Sequence, residues 1–98
     1  MSRHPRIRVL LIEDSPDDAE LIQVLLSKAT DARFVVSHEN RLHKGVARLG
    51  CDRFDVVLLD FSLPDSFGLD TFLSVHETAP RVPVIVLTSL DDDELAAK

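Results

Sequence analysis

Three aliphatic runs in this 98-residue sequence each end in oxygen-bearing side chains. Residues 7–12 lead into Glu13-Asp14, residues 56–59 lead into Asp60, and residues 84–87 lead into Thr88-Ser89. If the three ends meet, three carboxylates come close together. Their mutual repulsion pushes one or more towards protonation unless a cation intervenes. A donor set made only of oxygen, in an incomplete protein cage, suits Mg²⁺, which keeps waters and accepts phosphate oxygens. No His or Cys is spaced to make a zinc site. Asp60 differs from the other two carboxylates. It is held at the end of a rigid aliphatic strand, and the turn behind it, residues 61–67, offers backbone groups around its oxygens. A carboxylate in that place can attack phosphorus. A cation would shield the charge of the incoming phosphoryl oxygens, and the Thr88 hydroxyl could donate to one of them. The plainer reading, in which Asp60 caps the following turn, stands beside this one.

The elements that would bring these ends together follow from the pattern. Residues 7–12, broken only by Arg8, and residues 34–36, 56–59 and 84–87 are short aliphatic runs without regular polar alternation, as expected of strands buried on both faces of a parallel sheet. Helical stripes alternate with them: Ala19, Ile22, Leu26 and Ala29; then Leu42, Val46 and Leu49; then Leu69, Phe72 and Leu73, continuing through His76 to Ala79. Ser15 is placed to cap the first helix, with Pro16 in its first turn and Asp17 and Asp18 at its positive end. Gly45 weakens the second helix modestly and Gly50 is placed to end it. Pro64 and Gly68 bracket the turn after the third strand. Pro80 and Pro83 stop the third helix and start the fourth strand, and residues 92–98 read as the opening turn of a fourth helix. Alternating strands and helices predict an α/β, doubly wound parallel sheet. Ligands of such a sheet lie at the carboxyl ends of its strands, where the strand order reverses.

Composition narrows the rest. The length suits one domain, and no run approaches the roughly 18 apolar residues of a membrane span. Glu13 and Asp14 interrupt the first apolar run too early for a signal peptide, so a cytoplasmic location is expected. A net charge of −6 argues against direct nucleic-acid binding. Cys51 is the only cysteine, which excludes an internal disulfide. No glycine-rich fingerprint follows the first strand, against a dinucleotide-binding enzyme.

Taken in order, the motifs resemble the receiver domain family of bacterial response regulators. Ile12-Glu13-Asp14 is similar to the family's acidic pair, and Asp60-Phe61-Ser62-Leu63-Pro64-Asp65-Ser66-Phe67-Gly68 to its acceptor motif. Val84-Ile85-Val86-Leu87-Thr88-Ser89 is similar to its fourth strand, which ends in Thr or Ser. The resemblance runs from about Arg6 to the end. It implies a flavodoxin-like receiver fold with strand order 2-1-3-4. Asp60 would be the phospho-acceptor. Asp14 and Asp60 would bind Mg²⁺ with the backbone carbonyl of Ser62, and Glu13 would assist through water. Thr88 would contact the phosphoryl group and move on phosphorylation. The phosphoryl group would come from a phosphohistidine on a sensor histidine kinase or histidine phosphotransfer protein, with the receiver itself promoting the transfer.

The sequence departs from the family at its end. The resemblance implies a fifth strand, a fifth helix and a Lys after that strand, none of which is reached by residue 98. Residues 1–98 are therefore read as a C-terminally truncated receiver domain with its core at 6–98. Lys98 does not stand at a strand end and does not replace the family Lys. The fourth strand would then be an edge strand open to self-association, with Ile22 and Leu26 of the first helix less covered. Two other classes remain in view. One is a receiver-like interaction module independent of phosphorylation, to which the missing Lys points. The other is a metal-dependent phosphohydrolase, which usually needs an acid/base carboxylate where this chain has Ser62.

Overall fold

A run of strand residues without a polar side chain must be covered on both faces, and Val9, Leu10, Leu11 and Ile12 are each no more than 1% exposed. In the computed structural model, which describes residues 5–87, they belong to β1 (Arg6–Ile12) at the inside of the sheet. It is followed by α1 (Pro16–Ser27), β2 (Arg33–Glu39), α2 (Leu42–Cys51) and β3 (Val56–Asp60). A hairpin of two short strands, β4 (Ser62–Leu63) and β5 (Ser66–Phe67), precedes α3 (Leu69–Thr78) and β6 (Val84–Leu87). The four long strands are parallel, in the order β2-β1-β3-β6. That is the expected 2-1-3-4 order, since β6 is the fourth long strand. The order reverses between β1 and β3, the place where such sheets bind ligands.

The register decides what happens at the carboxyl edge. Ile12 lies opposite both Glu39 and Leu59, so Glu13 and Asp60 leave neighbouring strands at the same level. Leu10, Ile12, Val57 and Leu59 pack on one face with Leu42 and Leu49 of α2 and Val75 of α3. Val9 and Leu11 point to the opposite face, as strand alternation requires. The second strand is longer than the 34–36 expected, because pairing with β1 continues through Ser37, His38 and Glu39. As an outer strand it tolerates their polarity.

The helices answer the expectations unevenly. Ser15 caps α1, its hydroxyl accepting from the Asp18 N–H at 3.3 Å. Ala19 is buried and Ile22 and Leu26 are half-buried, but Ala29 is exposed beyond the helix end. The open apolar side chains of α1 are Leu21, Val24 and Leu25. Gly50 does not end α2. The helix continues to Cys51 and stops at Asp52, whose N–H donates to the Arg48 carbonyl at 2.8 Å and whose carboxylate accepts from Arg48 Nε at 3.1 Å. The third stripe is also rotated from expectation. At 100° per residue, Thr71, Phe72, Val75 and Ala79 share the arc that meets the core, while Leu69 and Leu73 point outward; Leu69 is 63% exposed. His76 is exposed and stacks on Phe72, ring centroids 5.5 Å apart. Residues 88–98, including the expected fourth-helix turn at 92–98, lie outside the described residues.

Gly45 does more than weaken its helix. A Cβ there would lie 2.8 Å from Ile12 Cγ1 and closer still to Cδ1, against a side chain with no exposed surface. The missing Cβ lets α2 settle onto β1 one residue before the acidic pair. Gly45→Ala should therefore destabilise the fold. The helix-propensity gain is about 1 kcal/mol, and overpacking costs about 1–3 kcal/mol. Gly45→Val, with little propensity gain and more bulk, should cost over about 2 kcal/mol. Thermal melts check this; a more stable Gly45→Ala would mean that Ile12 yields freely.

Candidate functional site

The exit of β1 is fastened from the side of β2. The Glu13 N–H donates to the Glu39 carbonyl at 3.0 Å, continuing the sheet ladder by one residue. The Glu13 carbonyl lies 2.7 Å from His38 Nε2. A carbonyl can only accept, so His38 donates through Nε2. Both bonds hold the backbone of Glu13 and leave its side chain free to turn inward.

That side chain is buried, with 5% of the residue exposed. Oxygens of Glu13, Asp14 and Asp60 all lie within 4.8 Å of one another. Asp60 is half-buried and Asp14 is exposed, so the cluster opens from a dry floor to solvent. Burial, then a hydrogen bond with Asp60 and the charges of Asp60, Asp18 and Asp14, push the Glu13 carboxyl up to about 8. Asp14 is raised too, by desolvation first and then by its hydrogen bond with Asp60 and the Asp60 charge; its own backbone bond and the Arg41 guanidinium act the other way. One Glu13 oxygen, Oε2, is buried with no hydrogen-bond partner among the described residues. An orphaned acceptor of this kind costs about 1–3 kcal/mol unless something fills the place. Protons held by clustered carboxylates and a vacant acceptor are what a cation replaces. The donors are all hard oxygens, which fits Mg²⁺.

Asp60 closes β3, and the loop beyond it folds back at once. The Gly68 N–H donates to the Phe61 carbonyl at 2.8 Å, closing the β4–β5 hairpin. Gly68 has φ 72° and ψ −149°, a backbone that a side chain would strain, and it begins α3. Ser62 lies in β4, two positions after Asp60 in the chain. The structure thus brings Glu13, Asp14 and Asp60 together and places Ser62 in the adjoining loop, while Thr88 lies outside the described residues. The groove between α1 and β2, about 420 Å³ and lined by residues from Pro16 to Ser27 and by His38, contains none of the three carboxylates. Sequence reasoning missed His38, Arg41 and Asp65 as neighbours of the site. Asp65 stood inside the acceptor motif, but no local spacing reveals its partners in α2.

Comparison with known proteins gives the chain its family. The model of the response regulator receiver domain matches residues 9–98. The chain is 31% identical over 96 residues to the two-component response regulator ORR1 of rice, covering 89% of this chain and 42% of that protein. It is 33% identical over 91 residues to a protein-glutamate methylesterase/protein-glutamine glutaminase of Paramagnetospirillum magneticum, covering 92% of this chain and 25% of that one. The chain thus spans less than half of either relative. Among solved structures, the phosphorylated cyanobacterial phytochrome response regulator RcpA aligns with a TM-score of 0.71 at 26% identity, over 96% of this chain and 72% of that one. The MaeR response regulator bound to beryllium trifluoride aligns at 0.75 and 22% identity, over 92% and 73%. That pair shares the fold. With its four parallel strands and its carboxylates at the point where strand order reverses, the chain belongs to the response regulator receiver domain family.

Proposed function

We propose that this chain is a phospho-acceptor signalling domain, in which Asp60 takes a phosphoryl group from a phosphohistidine of a sensor histidine kinase or histidine phosphotransfer protein. The observation that carries it is the three-carboxylate cluster at the ends of β1 and β3, with a buried, unsatisfied Glu13 oxygen in its floor. Asp14, Asp60 and the Ser62 carbonyl would hold Mg²⁺, with Glu13 assisting; the bound cation would neutralise the oxygens of the phosphoryl group. An Asp60 oxygen attacks phosphorus, the P–N bond to imidazole breaks, and the electron pair stays on the ring nitrogen, which takes a proton. The Thr88 hydroxyl donates to a phosphoryl oxygen and follows it, which is the switch. The chain promotes its own phosphorylation and later hydrolysis, and turns over no other substrate. The phosphorylated state of RcpA, a relative at 26% identity, supports this reading.

The partner follows from the chemistry. A histidine kinase delivers its phosphoryl group in the cytoplasm, where we place the domain, taken as residues 1–98 with its core at 6–98. Among the described residues no helix is long and apolar enough to cross a membrane. The acidic charge of −6 supports a protein partner over nucleic acid. Labelling with a small phosphodonor in the presence of Mg²⁺, followed by borohydride trapping and mass spectrometry, tests the function. Label on Asp60 is expected. Label elsewhere would remove Asp60 as the acceptor, and no label would leave an interaction module independent of phosphorylation.

A second copy of the chain is a further partner. Among the described residues β6 is the end strand of the sheet, with Ile85 53% and Val86 38% exposed. Unpaired strand edges with apolar side chains recruit other strands. Sedimentation velocity should show self-association that grows with concentration. A compact monomer at high concentration with a sharp, high melting transition would overturn it.

A further inference from the structure

α2 begins without a cap of its own, since the Arg41 side chain makes no capping bond. The cap comes instead from the acceptor loop. Asp65, in the turn between β4 and β5, accepts the Leu42 N–H on Oδ1 at 2.8 Å and the His43 N–H on Oδ2 at 2.9 Å. His43 Nδ1 lies 2.8 Å from the same Oδ2 and donates to it. Two free amides at the positive end of the helix thus meet one carboxylate from 23 and 22 residues away. Beneath this polar link Leu63 of the hairpin is buried in the same cluster as Leu42. Burial raises the Asp65 carboxyl, but the bonds from His43 and Leu42 outweigh it and hold it at about 2. Asp65 is therefore ionised at any pH at which the protein works.

The hairpin needs an outside anchor. Two-residue strands do not fix their own position, and this pair starts at Ser62, two positions after Asp60. The helix it grips is seated on β1 by the close approach of Gly45 to Ile12, the residue before Glu13. The path Asp60–hairpin–Asp65–α2–Ile12–Glu13 closes a ring around the carboxylates. We propose that Asp65 is the positioning residue of the site: its cap on α2 holds the hairpin where the backbone of Phe61 and Ser62 faces the cation and phosphoryl group at Asp60. This rests on the phospho-acceptor reading.

The experiment uses Asp65→Ala and Asp65→Asn, with Arg48→Ala as a control. Arg48 ties α2 to Glu39, Asp52 and Ser37, and among the described residues no hydrogen bond links it to the hairpin, so its loss loosens the helix and its tie to β2 without releasing the Asp65 cap. In the metal-free chain, amide exchange at Leu42 and His43 should quicken at least about tenfold in Asp65→Ala, the factor for a lost capping bond of about 1.4 kcal/mol. The Mg²⁺ concentration for half-maximal labelling of Asp60 should rise by about threefold or more. Labelling at saturating Mg²⁺ should slow on the order of tenfold, as expected of a small misplacement. Asp65→Asn should fall between, because its Oδ1 still serves Leu42. Arg48→Ala should lower the melting temperature and leave the Mg²⁺ midpoint in place. Parent-like midpoints and rates in both Asp65 variants, or an equal shift in Arg48→Ala, would overturn the proposal. A parent chain that takes no label sinks the phospho-acceptor reading itself, and the positioning role with it.

Discussion

Asp60→Asn should take essentially no label from a small phosphodonor, a fall of at least about a thousandfold. The amide cannot serve as the nucleophile of a covalent step, and removing a nucleophile leaves only background reaction. Glu13 and Asp14 are poor substitutes for different reasons. Glu13 is buried and holds a proton up to about pH 8. Asp14 is exposed at the rim, where water solvates its carboxylate. The same substitution should leave the metal-free melting temperature unchanged or higher, because it removes a charge that burdens both neighbours. The two readouts separate chemistry from stability. Undiminished labelling removes Asp60 from the mechanism, and a melt well below the parent's would give it a structural role instead.

The second large effect is on stability against pH in the absence of divalent cations. Glu13 rises from an ordinary 4.5 to about 8 on folding. Between those values the folded chain keeps a proton that the unfolded chain has released, so stability falls as pH rises across that window. Each unit of separation is worth 1.36 kcal/mol, which makes the total loss a few kcal/mol, a large share of a small domain's stability of about 5–15 kcal/mol. The loss is spread over the whole window between the two values. Asp65 acts in the opposite sense but elsewhere. Held at about 2 against an ordinary 3.8, it contributes stability above 3.8 that is lost as pH falls towards 2. Chemical denaturation in chelator from pH 5 to 8 should therefore show steadily declining stability. Glu13→Gln should flatten the decline, and millimolar Mg²⁺ should do so in the parent by taking the proton's place. A parent whose metal-free stability is flat or rising over that range would mean that Glu13 ionises freely in its floor.

Much of this was legible in the sequence, and the part that was not has a common cause. The aliphatic run Val9–Ile12 announces a central strand because no polar side chain interrupts it. Glu13, Asp14 and Asp60 announce a site because strand ends of a parallel sheet share an edge. Those inferences need only nearest neighbours along the chain. The outward turn of Leu69 and Leu73, the approach of Gly45 to Ile12 and the reach of Asp65 to Leu42 depend instead on how separate elements meet. The apolar residues of α3 spread over an arc of about 160° at 100° per residue, with Leu69 and Leu73 at one side of it, so periodicity leaves open which part of that arc meets the core. Gly50 resembles a helix stop, yet the i,i+4 pair Arg48 and Asp52 carries the helix one residue past it.

The pairing of Ile12 with Leu59 has a consequence for how such a centre can vary. Neighbouring strands are about 4.8 Å apart because peptide hydrogen bonds make them so. Glu13 and Asp60 ride on adjacent strands at equal height, so the bite of the site is a lattice constant of the sheet. It is set by main-chain bonding that nearly every amino acid can supply. Helices, loops and most side chains can drift while that gauge stays put. A change at a strand's end can alter which donor is offered to the cation, but hardly the span across which it is offered.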